Sequence, residues 1–172
     1  MRHRARGRQR LVLEAHAVAE EAIIVKNRRA SFDYALEDRF EGGLVLLGSE
    51  VKSLRAGRVD LTDAFATVKH GEVWLEQMNV PPLPQAASFP HDARRARKVL
   101  LHAHEIERIK KETSRGGFTL IPTQLYFKGG RVKVELALAK GKKKVDKRED
   151  IAAKTARREA REAVRGGRGS KG

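Results

Sequence analysis

Cysteine is absent from the 172 residues. That excludes disulfides, thiolate zinc sites and a cysteine nucleophile. No run approaches the roughly 20 apolar residues needed to cross a bilayer. The start, Met1-Arg-His-Arg-Ala-Arg-Gly-Arg-Gln-Arg10, is basic, but Leu11-Val-Leu13 meets Glu14 at once, too short an apolar segment for a secretory signal. The expectation is a cytoplasmic protein with no membrane partner. Signatures of catalysis are missing too. There is no metal-ligand spacing, no G-x-G-x-x-G and no Walker loop, and Gly42-Gly43, Gly116-Gly117 and Gly129-Gly130 read as turn or bend signals. His102 and His104, two apart on a presumed helix, would point to nearly opposite sides and could not share an ion. Glu41, Glu50, Asp60 and Asp63 form no catalytic pattern. The reading is therefore no metal, no cofactor and no enzyme.

Acid is also scarce: 37 Lys/Arg face 22 Asp/Glu, a formal net charge of +15. The excess sits at the ends. Residues 1–30 carry 8 basic and 3 acidic side chains, residues 31–93 carry 5 and 10, and residues 94–127 carry 8 and 3. From Lys128 onward there are 16 basic and 6 acidic residues. A near-neutral body with cationic arms calls for a polyanionic partner. Charge alone does not tell RNA from DNA.

Along the chain, residues 1–10 have nothing to pack and read as disordered, and Ala/Glu-rich 11–22 is compatible with a helix. Gly42-Gly-Leu-Val-Leu-Leu-Gly48 reads as a core strand bent at its glycine pair. Ser49 is placed as the N-cap of a helix over 50–56, with Val51 and Leu54 on one face and Gly57 ending it. Phe65 to Leu75 reads as a hairpin turning at His70-Gly71, with Lys69 opposite Glu72 and Val68 opposite Val73. Pro81-Pro-Leu-Pro84 breaks regular structure. The longest helix signal runs from about Ala93 to Glu112, with Val99, His102, Ile106 and Ile109 along one side.

A second hairpin joins Leu120–Phe127 to Arg131–Leu138 through Gly129-Gly130. In simple register Phe127, Leu125, Thr123 and Ile121 oppose Val132, Val134, Leu136 and Leu138, all facing the core. Tyr126, Lys128, Arg131 and Lys133 then face outward, with Tyr126 opposite Lys133. Tyr126 is thus the candidate for stacking on a base, whereas Trp74 and Phe65 sit where core packing is the commoner role. Short antiparallel strands with internal helices predict a mainly β protein, a small oligonucleotide-binding-type barrel with packed helices and a basic tail.

The tail has helix-forming composition but little to bury. Asp146 reads as an N-cap, with Glu149 completing a capping box. From Ile151 to Val164 the residues are mostly Ala, Arg, Lys and Glu. Lys154–Arg158, Arg157–Arg161 and Arg161–Arg165 put like charges four apart. The expectation is a tail that frays when free and becomes a helix against a polyanion, about 28 Å long over 146–164.

Several stretches resemble the SsrA-binding (SmpB) family, the partner of transfer-messenger RNA in bacterial ribosome rescue. They are Asn27-Arg-Arg-Ala30, Phe40-Glu-Gly-Gly-Leu-Val-Leu46, Gly48-Ser-Glu-Val-Lys-Ser-Leu-Arg-Ala-Gly57, Gly71-Glu-Val-Trp-Leu75 and Arg97-Lys-Val-Leu-Leu-His102. Leu125-Tyr-Phe-Lys128, Val132-Lys-Val-Glu-Leu-Ala-Leu-Ala-Lys-Gly-Lys-Lys143 and Asp146-Lys-Arg-Glu149 follow in order, so the likeness covers about 23–150. Residues 1–22 lie outside the resemblance and read as a flexible extension. The resemblance implies a barrel over 23–145 that binds the elbow of the tRNA-like domain, and a tail over 146–172, disordered when free by its composition, that is helical on the ribosome. It also implies travel into stalled ribosomes with the aminoacylated RNA and, through that RNA, elongation factor Tu. The chain would act as a monomer.

By position, Asn27, Glu41, Leu100 and Lys133 match the family's RNA-contacting residues, with Arg28 and Tyr126 as additions. For Leu100 a place in the core is the competing reading, and for Glu41 orientation of a basic neighbour. Asp146, Lys147 and Arg148 match residues needed in the decoding region, and Lys142, Lys143, Lys144 and Val145 are assigned to the same junction. Two positions depart from the family pattern. Val145 stands where His or Tyr is frequent and cannot stack or hydrogen-bond, and Ala93 stands where Pro is frequent. A structural ribosomal protein with rRNA-threading tails is the competing function.

Overall fold

The computed structural model describes residues 22–86 and 90–166; the expectations for 1–21 and the last six residues lie outside this range. Seven antiparallel strands are β1 Ala22–Lys26, β2 Tyr34–Leu44, β3 Phe65–Lys69, β4 Glu72–Glu76, β5 Arg97–Leu100, β6 Thr119–Lys128 and β7 Arg131–Gly141. Four helices are α1 Ala30–Asp33, α2 Gly48–Arg55, α3 Ala103–Ser114 and α4 Lys144–Gly166. The sheet order is β1-β6-β3-β4-β5-β2-β7, and β7 also pairs with β6, which closes six strands into a ring with β1 laid along β6. This is the oligonucleotide-binding-type barrel expected from the pattern, and closure removes the exposed edges that an open sheet would present.

The core has one main apolar cluster. Val73, Leu75, Val99, Leu125, Val134 and Leu136 come from four different strands, and Leu54 of α2 and Ile109 of α3 join them. Alternation explains which side chains enter: in β4, Val73 and Leu75 are buried and half-buried Trp74 lies outside, beside Lys98 of β5. The first hairpin has the expected register, Lys69 opposite Glu72 and Val68 opposite Val73. His70 and Gly71 both adopt positive φ, as a two-residue hairpin turn requires.

Several sequence expectations fail for identifiable reasons. The helix expected over 93–112 is two elements, β5 and the shorter α3. Residues 97–100 alternate buried and less buried, a period of two, because Arg97 and Val99 are drawn inward by partners on distant elements. α3 begins only after His102, whose N–H donates to the Glu105 carboxylate at 2.9 Å. His102, still extended as the cap, brings its ring against His104, with centroids 5.6 Å apart. The two imidazoles are therefore neighbours, not opposed.

The second hairpin departs from simple register at one residue. Phe127 opposes Val132 and Leu125 opposes Val134, but a bulge at Thr123 shifts the pairing so that Pro122 meets Leu136 and Leu120 meets Leu138. Thr123 turns its hydroxyl onto Glu135 of β7, and Ile121 joins a separate cluster with Ala30 and Ala139. Proline has no N–H to contribute to the ladder, which is consistent with the break in pairing beside Pro122.

α2 starts two residues earlier than expected. Its N-cap is Leu47, whose N–H is held by the Glu50 carboxylate at 2.8 Å, and Ser49 lies inside the helix. Likewise, Asp146 is not the N-cap of the tail helix. α4 begins at Lys144, so Asp146 falls in its first turn, where a carboxylate favours the positive end of the helix dipole.

Candidate nucleic-acid interface

A groove of about 490 Å³ opens on the barrel where β2, β5 and β7 meet the start of α3, and Glu41, Gly43, Leu100, His102, Arg131 and Lys133 are on its wall. Strand pairing explains why these residues converge. Gly43 on β2 opposes Leu100 on β5 and Lys133 on β7, and Lys133 opposes Tyr126 on β6. Glu41, two residues before Gly43, projects to the same face. Three of the four principal sequence candidates, Glu41, Leu100 and Lys133, are thus brought together by register alone.

Leu100 is 55% exposed, so the core reading for it is overturned. Its neighbour Val99 fills the core instead, and Leu100 is left as an apolar side chain in the groove. Tyr126 departs from expectation in the other sense. It is only 4% exposed, covered by β1, which pairs Ile23 with it, and its hydroxyl donates to Glu41 Oε2. A ring buried in this way cannot be a stacking platform.

Glu41 gathers the cations of this face. Lys128 Nζ lies 3.0 Å from Glu41 Oε2. The Tyr126 hydrogen bond holds the Glu41 carboxyl below the ordinary glutamate range; partial burial opposes this, and Lys128 and Lys133 reinforce it. Glu41 is therefore an anion at neutral pH that orders a phenol and an ammonium group. That matches the reading in which it orients a basic neighbour, since a carboxylate repels phosphate. Lys133 lines the groove, where its charge acts on the Glu41 carboxylate.

Asn27 is not brought to this groove. Its amide nitrogen donates to the Leu61 carbonyl at 3.0 Å and the Pro122 carbonyl at 3.1 Å, and its side-chain oxygen accepts from Ala30 N–H at 3.1 Å. With both donors and the acceptor occupied, the side chain staples the β1–α1 turn to the barrel and does not face a phosphate. Arg28, next to it, is exposed.

The junction to the tail is tied to α1 by polar contacts. Lys142 N–H donates to the Asp33 carbonyl at 3.0 Å, and Lys142 Nζ reaches the Ser31 carbonyl at 3.1 Å and pairs with Asp150. Lys147 Nζ lies 2.9 Å from Asp33 Oδ1 and 5.8 Å from the centre of the Phe32 ring. Hydrogen bonding by Lys147 holds the Asp33 carboxyl below its usual value; burial opposes this, and the Lys147 charge and Arg29 reinforce it. Lys143, Val145, Asp146 and Arg148 face solvent, and Val145 is 63% exposed.

A buried ionic network went unnoticed in the sequence. Glu50 and Arg97 are both fully buried and 2.8 Å apart, and Arg95 adds a second contact to Glu50 at 2.5 Å. Arg97 also donates to the carbonyls of Met78, Arg95 and Ala93. Beside it, buried His91 contacts Ser49 Oγ at 3.0 Å and the Val80 carbonyl at 2.8 Å. The available signal was Arg97 two residues before Val99, an inward position once 97–100 is a strand.

A closed antiparallel barrel with a cation-edged groove and a trailing basic helix defines an oligonucleotide-binding-type barrel protein. The family model described as "SmpB protein" matches residues 24–166. The SsrA-binding protein of Symbiobacterium thermophilum is 52% identical over 153 residues, spanning 88% of this chain and 97% of that protein. That of Sorangium cellulosum is 54% identical over 144 residues, spanning 84% and 88%. A chain of the solved structure called "tmRNA-SmpB: a journey to the center of the bacterial ribosome" superposes with a TM-score of 0.60 at 45% identity, covering 70% of this chain and 85% of that one. The chain belongs to the SmpB family of SsrA-binding proteins. No helix among the described residues is long and apolar enough to cross a membrane.

Proposed function

We propose that this chain binds the tRNA-like domain of transfer-messenger RNA through the barrel groove and carries it to stalled ribosomes for trans-translation. Elongation factor Tu accompanies it through the RNA. The reading makes the protein a cytoplasmic monomer that positions RNA and performs no catalysis of its own. The observation that carries it is the convergence of exposed Leu100 and the Lys133 ammonium on one open groove, in a chain of this family. An apolar contact beside a cation suits an RNA surface that presents unstacked bases beside phosphates. Arg131 at the rim adds a second charge, while Asn27 supports the groove indirectly by holding the β1–α1 turn.

The tail serves a separate RNA surface. Residues from Lys142 to Arg148 act at the decoding region, and α4 occupies the mRNA channel left empty by a truncated message. At 23 residues, α4 is about 35 Å long. Its outer side carries Lys154, Arg157, Arg158, Arg161 and Arg165, with Arg158 bonded to Glu162 at 3.0 Å. Free in solution this helix is only partly populated, because its like charges repel and its apolar residues Ile151 and Val164 are exposed. Polyanionic walls complete it.

The test is a gel-shift comparison of transfer-messenger RNA with a tRNA of equal length, for the wild-type protein and Lys133→Ala. Preference for transfer-messenger RNA is expected, reduced on the order of tenfold by the substitution. Equal affinity for both RNAs would sink the barrel assignment.

A further inference from the structure

The cations of the junction between β7 and α4 divide into two kinds. Lys143 and Arg148 are exposed, whereas the side chains of Lys142 and Lys147 retain only 19% and 32% of their exposure. The two shielded lysines, five positions apart, meet at one residue of α1. The Asp33 carbonyl accepts the Lys142 N–H at 3.0 Å, and its carboxylate accepts from Lys147 Nζ at 2.9 Å. The second carboxylate oxygen accepts from Arg29 Nε at 3.0 Å, which holds the group in place from its own helix. Lys142 Nζ reaches the Ser31 carbonyl at 3.1 Å and also bonds to Asp150, in the second turn of α4.

The helix period repeats the arrangement. Lys147, Asp150, Ile151, Lys154 and Thr155 recur at spacings of three and four and so share one face of α4. That face is the one turned to α1: the last four of them border a single crevice with Arg28, Ser31 and Phe32. A tie at one point would let the helix pivot. Ties ahead of the first turn, within it and in the second turn leave it one direction. Direction matters because α4 is about 35 Å long, so a tilt of about 20° at its base carries the far end roughly 12 Å. Meanwhile a Lys147 ammonium paired with a carboxylate presents little net charge to a phosphate, because the two opposite fields nearly cancel.

We infer that Asp33 is a positioning residue for the ribosome step: by holding Lys142 and Lys147 it fixes the direction in which α4 leaves the barrel, and Lys143 and Arg148 are the junction cations that face RNA. This rests on the proposed function of barrel and tail, and divides between two roles the junction lysines assigned together to the decoding region. Lys147 acts through Asp33, and its partner in the working complex is the protein's own body.

The test uses the full chain in reconstituted peptide tagging on ribosomes stalled on a truncated message. Asp33→Lys and Lys147→Asp should each slow tagging by about tenfold, since a misdirected helix misses its channel. Affinity of Asp33→Lys for transfer-messenger RNA should stay at the wild-type value, which also shows that the barrel is folded. The exchanged pair, Asp33→Lys with Lys147→Asp, should restore tagging to within about threefold of wild type. A lysine that acts on RNA cannot be moved to position 33 in this way. A double variant as slow as Lys147→Asp alone overturns the inference. Because the chain has no cysteine, Glu107→Cys and Glu149→Cys, both at exposed positions, accept a single pair of spin labels. Their distance distribution should be narrow in the wild-type background and in the exchanged pair, and broad in Asp33→Lys. A distribution unchanged by Asp33→Lys overturns it as well. Failure of the wild-type protein to prefer transfer-messenger RNA over an equal-length tRNA, or to support tagging, overturns the broader function instead, so the two failures are distinguishable.

Discussion

The barrel and the tail helix are built from the same basic residues and use them in opposite ways. In the barrel, Arg97 is buried beside Glu50 with its guanidinium donating to Glu50 and three carbonyls, and Arg95 closes the network. In α4, Lys154, Arg157, Arg158, Arg161 and Arg165 stand in solvent, with Arg158 paired to Glu162. A buried, fully bonded guanidinium stabilises one particular arrangement, because breaking it leaves a charge without water. An exposed row of cations stabilises no arrangement until an anion arrives. The difference lies in surroundings, since the residue type is common to both.

The largest expected effect separates the two regions outright. Removing residues 144–172 should abolish peptide tagging on stalled ribosomes while leaving barrel stability and RNA affinity near wild type. Far-UV circular dichroism on the intact chain should show added helix when RNA is supplied, and the shortened chain should not. A barrel that melts earlier after truncation would break the comparison.

Next in size is the core network. Arg97→Ala strands Glu50 without its buried partner and should cost about 3–5 kcal/mol in denaturant unfolding. An Arg157→Ala substitution on α4 should change unfolding by less than about 0.5 kcal/mol. Equal costs at the two arginines would contradict the contrast.

Acid should distinguish the regions more gently. Burial alone pushes the Glu50 carboxyl up, but hydrogen bonds from Arg95 and Leu47 N–H and the Arg97 charge outweigh it and hold it below the ordinary value of 4.5. A carboxylate with a depressed folded pKa contributes stability above its unfolded value and loses it as pH falls through the folded one. Barrel stability should therefore be level above pH 5 and drop below about 4.5, and Glu50→Gln should already be destabilised at neutral pH. Thermal melts across pH 3–7 check this.

The smallest effect is at the seam between the two. Asp33 holds Lys147 of α4 from the body side, and its carboxyl too is depressed, below 3.8. Its contribution is present above about pH 3.8 and lost below, by the same sign. The pair is partly exposed, so Asp33→Asn should cost under about 1 kcal/mol and loosen the first turns of α4. Faster amide hydrogen exchange at residues 144–150, with the barrel unchanged, is the expected reading.

Much of the barrel was legible because hairpins are local. His70-Gly71 and Gly129-Gly130 determine turn type, and alternation then assigns Val73, Leu75, Val132 and Val134 to the inside. The Tyr126–Lys133 pairing followed from the same counting, but the burial of Tyr126 did not, because β1 and Glu41 cover it from far away in sequence. The strand at 97–100 was hidden for a related reason. Its Arg, Lys and Leu residues suit a helix, and only Glu50, 47 positions earlier, makes an inward arginine stable there. Leu100 was ambiguous until its strand was known, since the side of a strand on which a residue falls depends on where that strand begins.

By itself the amino-acid order determined the chemistry of this protein: no thiols, no catalytic or metal pattern, a neutral body and cationic ends that demand a polyanion. It also determined the hairpins, whose contacts span only a few residues. Tertiary structure alone decided what closes the ring, which arginine is buried, where the tail helix is tied, and that Leu100, Gly43 and Lys133 stand side by side. Those three belong to strands separated by more than thirty residues each, and only hydrogen-bond register between β5, β2 and β7 brings them to one groove.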